Sequence, residues 1–159
     1  MSSRDRDPAG RAHNARPRDA LGRPLPHGAE GVERVDEDVV LSPDEALQQA
    51  QQLIDDGYPF HAHEVLEGVW KSTEGEQREL WQGLAQLAVG LTHIQRGNGK
   101  GATALLRRAA DRIAPYADAP PHGLQIVELV AGARGLADRI EREGMNSLPA
   151  GSLRPRLRR

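Results

Sequence analysis

Cysteine is absent from the 159 residues. Disulfides, thiolate metal sites and cysteine nucleophiles are therefore excluded. Aromatic residues are scarce: two Trp, two Tyr and one Phe. A core must be assembled from Leu, Ala, Val and Ile, a supply that suits helices better than sheets. No run approaches the ~18 apolar residues of a membrane span. The stretch MSSRDRDPAGRAHNARPRD contains no apolar segment of the kind a secretory signal requires. The expectation is a cytoplasmic chain without membrane association. Strand patterns are missing too, since no useful length alternates between apolar and polar residues.

Charge is present in both signs but unevenly spread around a formal net of −2. Residues 37–143 hold 10 basic and 17 acidic residues, whereas 144–159 hold 4 arginines and no acid. An acidic body repels a phosphate backbone, so nucleic acid is not an expected partner. Residues 1–36 are rich in Arg, Pro and Gly without hydrophobic period and read as a disordered arm. Residues 144–159 read as a disordered basic tail.

Between them, 37–143 carries five segments of helical period. Ser42-Pro43-Asp44-Glu45 is a helix-start signature, with a capping serine, proline in the first turn and glutamate three residues on. Ala46, Leu47, Ala50, Leu53 and Ile54 follow as one stripe, and Gly57 and Pro59 close it. A second segment covers about 60–71. A third, about 76–96, is apolar over most of its circumference through Leu80, Trp81, Leu84, Leu87, Leu91 and Ile94, as central helices are. The fourth covers about 101–114 and the fifth about 123–143. Short connections favour antiparallel neighbours. The fold class predicted is all-α: a small antiparallel bundle of about five helices with disordered termini.

The second segment, FHAHEVLEGVW, raises the functional question. At about 100° per residue, His63 and Glu67 fall on the side that holds Phe60, Leu66 and Trp70, with Glu64 at its edge and His61 pointing away to solvent. On the third helix Glu79, Gln82, Gln86, Gly90 and His93 form one polar stripe. If the two helices make a hairpin with these faces together, His63, Glu67 and His93 surround a polar pocket, with Glu64 and Gln86 nearby. Two histidines and a carboxylate form a common ligand set for a divalent metal such as zinc or iron. A His–carboxylate pair without metal can serve as a general base. Equally, the pair can be a satisfied internal contact that fixes helix register. The metalloprotease pattern His-Glu-x-x-His is absent, because Glu67 stands where its last histidine would. RGNGKGAT at 96–103 lacks both the spacing and the preceding strand of a phosphate loop, and reads as a corner between helices.

Phe60-His61-Ala62-His63-Glu64-Val65-Leu66-Glu67, Trp70, Gln82-Gly83-Leu84-Ala85-Gln86-Leu87-Ala88-Val89, His93, Arg96-Gly97-Asn98 and Gly101-Ala102 together resemble the bacterial family catalogued as domain of unknown function 309. The likeness covers about residues 45–115. It implies a small helical bundle and no assigned activity. It also implies that His63, Glu64, Glu67, Trp70, Gln86 and His93 occupy motif positions. The functional expectation is a binding or interaction module with a polar His/Glu pocket between helices two and three. Its partner would be a protein, a small molecule, or a second copy docking through Val127 and Leu136. The alternative is a metal-dependent or His/Glu acid–base enzyme, hydrolase-like, using the same pocket.

Overall fold

Ser42 starts the first helix. Its hydroxyl accepts the Glu45 backbone N–H at 3.2 Å, and the Glu45 carboxylate accepts the Ser42 N–H at 3.2 Å. Pro43 occupies the first turn. In the computed structural model, which describes residues 5–6, 12–13, 41–149 and 151–159, five helices follow: α1 (Pro43–Asp55), α2 (Pro59–Ser72), α3 (Arg78–Gln95), α4 (Gly99–Ile113) and α5 (Ile126–Glu143). These match the five periodic segments to within a few residues. The arm expected at 1–36 lies outside the described residues, except for β1 (Asp5–Arg6) paired antiparallel with β2 (Ala12–His13).

Each helix packs against its neighbours in the chain: α1 on α2, α2 on α3, α3 on α4 and α4 on α5. The core runs through all of them, with Trp81, Leu84 and Leu91 of the central α3 at its middle. Gln95 ties the end of α3 to the α1–α2 turn by donating to the Gly57 carbonyl at 3.0 Å.

The closest approach joins α3 to α4. A Cβ on Gly83 would sit 2.5 Å from Ile113 Cγ2, and one on Gly90 2.9 Å from Leu106 Cδ2. Both neighbours are fully buried and have nowhere to retreat.

The segment after α5 departs from expectation. Residues 144–159 were expected to be a disordered basic tail, yet their last part is docked. Leu157 is 1% exposed. The Gln51 side chain grips the backbone on both sides of Arg156, donating to the Pro155 carbonyl at 3.0 Å and accepting the Leu157 N–H at 2.8 Å. The Gln125 N–H reaches the Leu157 carbonyl at 2.9 Å, and Arg158 bridges to Leu124. Arg158 also pairs with Asp44 at 3.0 Å. One leucine among arginines gives no period to read, although it is enough to anchor an extended segment whose backbone groups are satisfied.

The seam between α3 and α4 should respond to single methyl groups. Gly83→Ala gains about 1 kcal/mol of helix propensity, but overpacking costs about 1–3 kcal/mol, so the melting temperature should fall. Gly135→Ala, where a Cβ meets nothing within 4 Å, should raise it. Thermal melts of both variants check the contrast, and a stabilised Gly83→Ala would contradict the packing.

Candidate functional site

The buried side of α2 is Ala62, Val65, Leu66 and Val69, a run at i, i+3, i+4 and i+7, with His61 beside it at 0% exposure. Phe60, His63, Glu64, Glu67 and Trp70 are half-buried along the rim of that side. The sequence expectation is therefore corrected in one respect: His61 is the core histidine and His63 is the rim histidine. Phe60 and Trp70, the largest apolar side chains of α2, lie at the edge of the core and not within it. Arg96 sits over the Phe60 ring at 5.6 Å, and Arg78 over the Trp70 ring at 5.2 Å. The small residues Ala62, Val65 and Val69 mark the true contact face. His61 packs edge-on against Tyr58 with centroids 5.9 Å apart.

On the rim, His63 Nε2 lies 2.6 Å from Glu67 Oε2, and Lys71 Nζ lies 2.9 Å from Glu67 Oε1. One carboxylate is thus held between two donors, four residues before and after it on the helix. The His63 hydrogen bond, with help from Lys71, holds the Glu67 carboxyl at about 2, against the opposing effect of burial. The Phe60 ring covers His63 with centroids 5.5 Å apart. His63 Nδ1 and Trp70 Nε1 are buried and have no hydrogen-bond partner among the described residues. Such atoms are uncommon in folded proteins.

The polar stripe of α3 does not join this rim. It meets α4 instead. Arg112 donates from Nε to Gln86 Oε1 at 3.2 Å and from Nη1 to Gln82 Oε1 at 2.9 Å, and it also pairs with Glu79. Gly90 faces Leu106. His93 Nδ1 lies 3.1 Å from Asn98 Nδ2, while Asn98 Oδ1 caps α4 by accepting the Gly101 N–H at 3.0 Å. Burial, and then the charge of Arg96, lower the His93 pKa, which suits a neutral ring accepting from Asn98. A Cβ on Gly101 would come 2.5 Å from Asn98 Nδ2 and 3.0 Å from His93 Nδ1. The corner RGNGKG is thus a capping device: Gly97 at φ +77° turns the chain, Asn98 caps, and Gly101 leaves room.

The pocket drawn from the sequence separates into two parts. His63, Glu64, Glu67 and Trp70 belong to the α2 rim, and Gln86 and His93 to the α3–α4 seam. Among the described residues, no hydrogen bond or ion pair joins His63, Glu67 or Trp70 to Gln86 or His93. No group of three His, Asp or Glu side chains among those residues is arranged to hold a metal ion. Sequence reasoning missed Lys71, Arg78 and Arg112. Lys71 was accessible from its i+4 spacing to Glu67, whereas the two arginines act between helices.

Residues 47–105 match the family model described as Domain of unknown function (DUF309). The family likeness is shown for this stretch of the chain. The matched DUF309 region runs from α1 into α4 and includes the whole α2 rim and the Asn98 corner, while α5 and the docked C-terminal segment lie beyond it. No curated protein and no solved structure matches the chain.

Glu67 gives the rim an acid signature. A carboxylate with a lowered pKa stabilises the fold above its unfolded value, and that stabilisation is lost as pH falls toward its folded value. Glu67→Gln should cost about 1 kcal/mol at neutral pH. The gap from the parent should hold down to pH 4.5 and close toward pH 2. Urea denaturation across that range measures it, and a gap independent of pH would contradict the pairing.

Proposed function

We propose that this chain is a non-catalytic binding module that recognises a protein partner through the α2 rim. The observation that carries the reading is the half-buried aromatic and basic rim itself, Phe60 under Arg96 and Trp70 under Arg78, beside the His63–Glu67 contact at 2.6 Å. Aromatic residues and arginines dominate the energetic centres of protein interfaces, and here Phe60 lies beside Arg96 and Trp70 beside Arg78.

An acid–base enzyme is less well supported by the same geometry. His63 commits Nε2 to Glu67, and its Nδ1 is shielded from solvent, so neither ring nitrogen is open to a substrate proton. A divalent metal on His63, Glu67 and His93 would require His93 to leave Asn98 and the α3–α4 seam. Self-association has little support from α5: Val127 is 60% exposed, but Leu136 is half-buried against the core, and a single exposed valine is not a patch.

The test is affinity capture with the full chain as bait, alongside His63→Ala and Trp70→Ala baits of matched helicity. A protein retained by the parent and lost from both variants is the expected result. Identical captures from all three baits would overturn the reading.

A further inference from the structure

The helices α3 and α5 both lean on α4 and share no extensive seam with each other. Between them lies a groove of about 540 Å³, well away from the α2 rim. Its floor is apolar, built from Leu87 and Leu91 of α3 and Leu129 and Ala133 of α5. The C-terminal segment roofs it with Pro149, Ser152 and Pro155. That roof is anchored at one end by the Gln51 clamp and by buried Leu157.

Size and charge narrow the occupant. The volume falls within the range of small-molecule sites, about 300–1,000 Å³, and is too small for a docked helix. The lining extends along α5 from Glu128 to Arg139, a distance of about 16 Å at the rise of an α-helix. The groove is thus long and narrow. Arg139 stands at one end of this lining and Glu128 at the other, and Arg156 precedes the Leu157 whose carbonyl accepts from Gln125, toward the Glu128 end. Among the described residues, Arg139 meets Glu143 through Nε, which leaves its terminal nitrogens available for an anion.

We propose that this groove binds an amphiphilic carboxylate, with its alkyl chain on the leucine floor and its head group at Arg139. An extended chain of about twelve carbons has the groove's length at ordinary carbon–carbon dimensions.

The probe is dodecanoate, held below its micelle-forming concentration and titrated into the full isotopically labelled chain. The readout is the amide spectrum. Saturable shifts should cluster on Leu87, Leu91, Leu129, Ala133 and Ser152. Dodecyltrimethylammonium should bind at least about tenfold more weakly, because its head group meets the Arg139 guanidinium. Gly132 lines the groove, and a Cβ there meets nothing within 4 Å. Gly132→Leu should therefore leave the fold intact and fill the groove, abolishing the saturable shifts. Arg139→Gln should weaken dodecanoate several-fold while leaving dodecanol unchanged. The proposal is overturned by an absence of saturable shifts, by equal affinity for the cationic amphiphile, or by full binding in a folded Gly132→Leu chain.

Discussion

The approach of α4 to α3 across Gly83 and Gly90 governs what the remaining surfaces can do. Neither position has room for a methyl group. Once the two helices lie that close, the polar stripe of α3 is turned to α4 and away from α2, with Glu79 still exposed at one end. It must be satisfied from α4, and Arg112 supplies three of its partners while Asn98 supplies the fourth. A partly buried polar row left unsatisfied would cost several kcal/mol. Glycines and arginine thus work as one device, in which close approach creates the demand and a single guanidinium meets it. With that face of α3 committed, α2 packs elsewhere on α3 through small residues, and its larger polar and aromatic side chains stay at the rim.

This division sorts the positions on which the family resemblance rests. Gly83, Gln86, His93, Gly97, Asn98 and Gly101 each have a packing or capping task along the α3–α4 seam. Ala62 and His61 are core. His63, Glu67 and Trp70 remain on the rim, where their contacts among the described residues run along their own helix and to Arg78. Packing and capping account for the first group more fully than for the second. That asymmetry supports the proposed recognition at α2 over a pocket between α2 and α3.

The fold was legible because the period of 3.6 residues is written in many positions at once. Ser42 and Glu45 announced α1, and the Leu80–Leu91 row announced a central α3. The orientation of α2 was not legible. Its face is set by Ala62, Val65 and Val69, whose small side chains carry less hydrophobic weight than Phe60 and Trp70 at the edge. Nor could the direction of the α3 stripe be read, because period fixes which residues share a face but not which neighbour that face meets. Gly83 and Gly90 carried that information as close-approach sites, and Arg112 carried it as a cation one helix away. The docked C-terminus depended on Leu157 and on Gln51, which are 106 residues from each other in the chain, a separation at which no local pattern helps.

The central claim is that His63 and His93 belong to separate structural units. A pair of double-mutant cycles on folding stability tests it most directly. His63→Ala with Glu67→Gln should show a coupling of about 0.5–3 kcal/mol, as residues in contact do. His63→Ala with His93→Gln should be additive to within about 0.5 kcal/mol, as independent sites are. Coupling of His63 to His93 as strong as its coupling to Glu67 would contradict the division of the molecule into an α2 rim and an α3–α4 seam.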